Sequence, residues 1–287
     1  MPSSPPPTDA AGGRVPDRQL RAIVADDRGD GPAVVLLHGQ PGSRRVWQLV
    51  VRRLPFDLRV VVPDRPGYGR TGGPAGGFSA NAHSVLQLMD RLGIDRATFA
   101  AHSWGGGVAL ELARTQPDRV SSLVLVSSIG GAGSVDQLDA FLAAPVIGPA
   151  LAIAGLVALT VDDVRRTLAP VPTPADPVSV PVFSEGGISS WRSFVAEQRA
   201  MLDDLPALTA GLPGLRVPTT VVTGEVDRVV RPQSQRALAD SLKQARVVSL
   251  PGQGHLLLRE APDVVADAIL RAVAAEEAGA DGDMIDT

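Results

Sequence analysis

Residues 97–115 constrain this chain more than any other stretch. The run Thr98-Phe99-Ala100-Ala101-His102-Ser103-Trp104-Gly105-Gly106-Gly107 begins in an apolar segment, 97–101, with the length and bounds of a buried strand. It passes directly into 104–115, where Ala109, Leu110, Leu112 and Ala113 supply the apolar face of a helix. A turn that sharp strains the backbone, and large side chains beside it would collide. Ala101 and Gly105, two positions either side of Ser103, are small enough to avoid that. A serine at the apex projects its hydroxyl into open space, the placement of a nucleophile. A Gly-rich helix start with an incidental serine is the alternative that this run alone leaves open.

Around it, strand-like and helix-like patterns alternate. Strands are expected at 21–25, 33–37, 59–62, 97–101, 122–126, 219–223 and 246–250, and helices at 80–92, 104–115, 233–242 and 261–275. Such alternation predicts an α/β fold, a mostly parallel twisted sheet flanked by helices on both faces. No internal repeat is visible. The alternation breaks between Ser128 and Gly214, where residues 140–161 contain no charged side chain and are about long enough to span a bilayer. Pro145, Gly148 and Pro149 interrupt that run inside a soluble pattern, so it is read as apolar lining and not as a membrane span. Residues 170–181 are proline-rich and read as a loop where motion could gate entry. Trp191, Phe194 and Met201 fall on a helical stretch and read as core packing.

Three further segments resemble one family in the right order. The strand at 33–37 runs into His38-Gly39-Gln40-Pro41-Gly42-Ser43, 219–223 is followed by Gly224-Glu225-Val226-Asp227, and 247–250 by Pro251-Gly252-Gln253-Gly254-His255. With the elbow at Ser103, where Ala101 replaces the more usual first glycine, these resemble the α/β-hydrolases across about 21–275. The resemblance implies the α/β-hydrolase fold with a helical cap insertion. It also implies a catalytic triad in the chain order Ser103, Asp227, His255, and an oxyanion hole made by the backbone N–H groups of Gln40 and Trp104. In that reading His255 takes the serine proton and Asp227 holds the imidazole tautomer. Glu225 is the nearest competing carboxylate; His38 braces its loop, His102 packs, and His83 faces solvent. Asp64-Arg65-Pro66-Gly67-Tyr68-Gly69-Arg70 resembles the family's loop after its fourth strand and reads first as turn chemistry.

The domain reading is a disordered tail at 1–16, a hydrolase core at 17–128 and 214–275, a helical cap at 129–213, and an acidic disordered tail at 276–287. At 287 residues the chain can bury a substantial core. A net charge of −4 offers no cationic field for nucleic acid, and zero cysteines exclude disulfides, Cys-ligated zinc and a thiol nucleophile. The N-terminus lacks the basic start and apolar core of a signal peptide, so a cytoplasmic location is the expectation. The resemblance implies no metal and no organic cofactor. The function expected is a serine hydrolase acting on an ester or lactone of a small, largely apolar substrate. Epoxide hydrolases and haloalkane dehalogenases use an aspartate where this elbow has Ser103. Carbon–carbon bond hydrolases and cofactor-free perhydrolases share the triad, the elbow resembles that of proline iminopeptidases, and a ligand-binding receptor on the same fold is the reading from another class.

Overall fold

In the computed structural model the residues described are 22–131, 133–145, 147–168 and 190–283. Seven strands form one sheet: β1 (Ala25–Arg28), β2 (Ala33–Leu37), β3 (Arg59–Pro63), β4 (Ala97–His102), β5 (Val120–Val126), β6 (Thr219–Gly224) and β7 (Ala245–Leu250). Their spatial order is β1-β3-β2-β4-β5-β6-β7, and every neighbouring pair is parallel except β1 with β3. The helices are α1 (Gln48–Val51), α2 (Phe78–Arg91), α3 (Trp104–Thr115), α4 (Gln137–Ala143), α5 (Ile147–Leu168), α6 (Trp191–Gly211), α7 (Pro232–Ser241), α8 (Leu257–Glu260) and α9 (Pro262–Asp283).

The central strands β4, β5 and β6 are buried along their whole length because both of their faces are covered. Successive side chains point to opposite faces of a strand, and here they feed two separate cores. Val35, Leu37, Phe99, Ala101, Leu123 and Leu125 pack with α2, α3 and α7. Val34, Leu36, Ala100, Val124 and Val126 pack with Trp47, Val50, Leu257, Val265 and Ile269 on the other side.

Two boundaries differ from expectation for physical reasons. β1 lies at 25–28, not 21–25: the apolar signal came from Ile23, which is buried beside the edge, whereas Asp26, Asp27 and Arg28 make the ladder with β3. Polar residues suit a sheet edge, where Asp27 also pairs with Arg59. The last helix passes 275 and continues to Asp283, so 276–283 is not an unstructured tail. Ala274, Ala275, Glu276, Glu277 and Ala278 are strong helix formers and extend the turn sequence without needing a core. The expected tail at 1–16, the proline-rich loop at 170–181 and residues 284–287 lie outside the described residues.

Between β5 and β6 the chain inserts α4, α5 and α6. Asp136 and Asp139 form a reciprocal capping box at the start of α4. The uncharged run at 140–161 is split between α4 and α5, whose axes bend by 107°, and among the described residues no single helix is long and apolar enough to cross a membrane. Two acidic side chains help to fasten α6 to the sheet domain. Asp204 accepts the orphan N–H of Phe78 at the start of α2 (2.8 Å), and Glu197 reaches Arg65 in the loop after β3.

Candidate active site

Ser103 caps β4 and opens α3 with φ 52° and ψ −121°, a backbone region that side chains other than glycine rarely adopt. Main-chain bonds hold it there: its N–H donates to Val126 (3.0 Å), and its carbonyl accepts from Gly106 (2.9 Å). The small neighbours expected around the elbow are needed. A Cβ on Gly105 would lie 2.7 Å from the His38 carbonyl oxygen, and one on Gly39 would lie 2.8 Å from Ser103 Cβ. The elbow is thereby pressed against the loop that follows β2.

Parallel strands deliver Asp227 and His255 to the same carboxyl-terminal end of the sheet as Ser103. Asp227 follows β6 and His255 follows β7. His255 Nδ1 stands 2.9 Å from Asp227 Oδ2, and its Nε2 stands 3.1 Å from Ser103 Oγ. The ionised carboxylate only accepts, so Nδ1 carries the proton and Nε2 is left to accept from the serine hydroxyl. Asp227 cannot swing away, because its other oxygen accepts the main-chain N–H groups of Val229 (2.8 Å) and Val230 (3.0 Å). Glu225, the competing carboxylate, is exposed and accepts from Ser249 instead.

The remaining histidines take other roles. His102 Nε2 donates to the main-chain carbonyl of His255 (3.0 Å), tying β4 to the loop that carries His255. Burial, then the neighbouring His255, pushes the His102 pKa down to about 3, so it is neutral. His38 Nδ1 donates to Gly39 O (2.8 Å) and Nε2 accepts from the Arg65 N–H (2.9 Å), a loop brace whose burial holds its pKa well below 6.5. His83 is half-buried and bonds Gln87.

Two cavities meet at this point, with Gln40, Phe194 and Val229 in the walls of both. One, of about 420 Å³, is lined by His255, His102, Pro41, Val46 and Leu258 and is almost wholly apolar. The other, of about 410 Å³, holds Ser103 and Trp104 with Ile129, Leu142 and Met201, and ends at the polar side chains Asp139, Gln198 and Arg231. The backbone N–H groups of Gln40 and Trp104 have no hydrogen-bond partner among the described residues.

The lining departs from the expectation for 140–161. Of that run Leu142 borders a cavity, while Leu151 is 38% exposed and borders neither. The walls come from α4 and α6 instead, because α5 uses its inner side to pack on them. Phe194, read as core, lines both cavities; Met201 serves core and cavity together; Trp191 stacks with the Arg192 guanidinium. Among the described residues no group of three or more His, Cys, Asp or Glu side chains converges as a metal site would require.

Sequence reasoning missed a buried polar group beneath the site. Arg65 and Glu197 are both fully buried and ion-paired, with Tyr68 OH donating to Glu197 (2.7 Å). Burial pushes the Glu197 carboxyl up, against the pull of Arg65 and the bonds it receives, and burial likewise raises Tyr68, which stays a phenol donor. The available signal was a lone glutamate on the apolar face of α6, between Val195 and Met201.

Comparison with known proteins follows the same lines. A model of the alpha/beta hydrolase family matches residues 34–268. A 2-hydroxymuconate semialdehyde hydrolase from Pseudomonas sp. strain CF600 is 30% identical over 238 residues, 80% of this chain and 82% of the relative. Another relative, from Rhizobium rhizogenes, is 37% identical over 105 residues, a match that spans 36% of this chain and 40% of that relative. Among solved structures, a thermophilic esterase from Thermogutta terrifontis superposes with a TM-score of 0.70 at 26% identity, covering 88% of this chain and 93% of the other.

Proposed function

This chain belongs to the alpha/beta hydrolase family, and from that premise we propose that it is a serine hydrolase that cleaves an ester or lactone of a small, largely apolar molecule through an acyl-enzyme. The observation that carries the reading is the unbroken hydrogen-bonded chain from Asp227 through His255 to Ser103 Oγ. A serine hydroxyl is a weak nucleophile until an adjacent base takes its proton, and His255 Nε2 is within reach to do so. Ser103 Oγ bonds to the carbonyl carbon as its proton moves to His255, and Asp227 stabilises the imidazolium. The Gln40 and Trp104 N–H groups receive the oxyanion. His255 then protonates the departing alcohol, and water, activated by the same base, releases the acid.

The two cavities give this substrate a shape. A leaving group must sit beside the acid that protonates it, and His255 borders the apolar cavity. The acyl carbon is bonded to Ser103, which borders the other. The alcohol part is therefore apolar, and the acyl part has an apolar stem with room for a polar end near Asp139 and Gln198. In this reading α4, α5 and α6 act as the cap that excludes water from the chemistry.

Hydrolysis of chromogenic esters tests the proposal. Ser103→Ala is expected to lose about 10⁶ in turnover while remaining folded. An alanine variant that keeps a tenth of the activity would refute the nucleophile. A second reading, cleavage of a carbon–carbon bond by the same triad, is favoured by the likeness to the 2-hydroxymuconate semialdehyde hydrolase. Comparing turnover of an aryl ester with that of a vinylogous diketone separates the two.

A further inference from the structure

Glu197 lies on an inserted helix and is no member of the proposed triad, yet it holds the group that grips the proposed oxyanion loop. Arg65 sits fully buried between that loop and α6. Its Nε donates to the His38 carbonyl (2.8 Å) and its Nη2 to the Gly39 carbonyl (3.1 Å), while its own main-chain N–H donates to His38 Nε2 (2.9 Å). The second of these bonds matters most. A trans peptide is planar, so the Gly39 carbonyl and the Gln40 N–H point in opposite directions from one rigid unit. Gripping Gly39 O, from Arg65 on one side and His38 Nδ1 on the other, sets the direction of the Gln40 N–H.

The orientation of the guanidinium is in turn set by α6. Glu197 takes Nη1 and Nη2 of Arg65 on its two oxygens, Tyr68 OH and Asn81 complete the cage, and the guanidinium carbon lies 4.4 Å above the Trp104 ring. One planar fork thus holds the carbonyl of the peptide that carries the Gln40 N–H, lies over the Trp104 ring, and is aimed by a carboxylate from the insertion.

We propose that Glu197 is a positioning residue for the oxyanion hole, acting through Arg65, so that helix α6 of the insertion is part of the catalytic frame. The proposal rests on the serine hydrolase reading. A buried ion pair could also be there for the fold alone, and the two roles separate on replacement of both partners. Removing one partner leaves a buried charge uncompensated, whereas replacing both with apolar residues of similar size commonly restores stability.

The test is R65M/E197L against E197Q and the parent, measuring the urea midpoint, kcat and KM on a chromogenic ester, and the rate at which a 4-nitrophenyl phosphonate labels Ser103. E197Q is expected to lose stability and turnover together. The double variant is expected to regain the parent midpoint while kcat and the labelling rate stay down about 10–100-fold, with KM within about threefold, because a donor is misaimed and not deleted. Parent-like kcat in a double variant with the parent midpoint overturns the proposal. If the double variant does not regain its midpoint, R65K decides: lysine keeps the charge beside Glu197 but lacks the planar fork that spans the His38 and Gly39 carbonyls and the carboxylate together. The same loss of kcat is expected, and an unchanged kcat overturns the proposal. Ser103→Ala, run in parallel, shows by retained labelling whether the serine reading itself has failed.

Discussion

Gly105→Ala is the smallest change that separates the elbow from the loop after β2. The added methyl would lie 2.7 Å from His38 O and 2.8 Å from Leu37 O, both main-chain atoms that cannot rotate aside. Ordinary contact begins near 3.4 Å, so the two chains must part by about 0.7 Å. Crowding of this kind costs about 1–3 kcal/mol, offset by about 1 kcal/mol because alanine is the better helix former. Net destabilisation should therefore be modest, about 0–2 kcal/mol in urea unfolding. Catalysis should suffer more. The displaced loop carries Gln40, and a misplacement approaching 1 Å costs about 10²-fold in rate, equivalent to about 2.7 kcal/mol. The assay is kcat on a chromogenic ester beside a urea midpoint. Gly155→Ala on α5 is the control, since a Cβ there meets nothing within 4 Å and the site is remote; it should leave kcat unchanged. A Gly105→Ala enzyme within threefold of the parent kcat would refute the claim that elbow and loop share one tight spacing.

Asp227→Asn should lower turnover about 10⁴-fold through loss of the correct histidine tautomer, and Glu225→Gln should leave it within twofold; steady-state kinetics showing the reverse would exchange their roles. Stability should fall with acid already above the range in which carboxylates titrate. The folded pKa of His102 is about 3 against 6.5 unfolded, so from pH 6.5 downward the unfolded chain binds a proton that the fold refuses. That amounts to about 2 kcal/mol between pH 6.5 and 5 for His102, with His38 adding in the same direction. Urea midpoints across this window should show the slope, and His102→Gln should reduce it; a flat profile would mean that neither histidine is held neutral. Phe194→Ala, opening both cavities, should flatten the preference among ester chain lengths by about 1–3 kcal/mol in relative kcat/KM. Leu151→Asp, on the exposed side of α5, should not alter that preference in the same ester series.

What the sequence made legible follows from where contacts are local. The buried strands announce themselves, β2 and β4 by apolar runs and β6 by a β-branched one, and the turn after each places Gln40, Ser103 and Asp227 within a few residues of a readable strand end. Edge strands carry no such signal: β1 is polar, and its neighbouring apolar residues shifted the reading by about one turn. The 140–161 run was legible as apolar but not as to what it touches, since helices of an insertion pack on each other as readily as on a substrate. Arg65 and Glu197, separated by 132 residues, were invisible as a pair. Nothing in the loop chemistry of Asp64-Arg65-Pro66-Gly67 distinguishes a buried guanidinium from a solvated one.

The backbone of Ser103 has a consequence for how this protein would change under selection. At φ 52° and ψ −121° a serine carries strain of order 1–3 kcal/mol that a glycine would not. Glycine is one residue type away, and it would relax the elbow and erase the hydroxyl in a single step. A library of variants sorted only by resistance to heat would therefore drift toward Ser103→Gly, enriching proteins that fold better and lack the proposed nucleophile. On the serine hydrolase reading, the strained serine persists only in lineages that are screened, at every generation, for turnover.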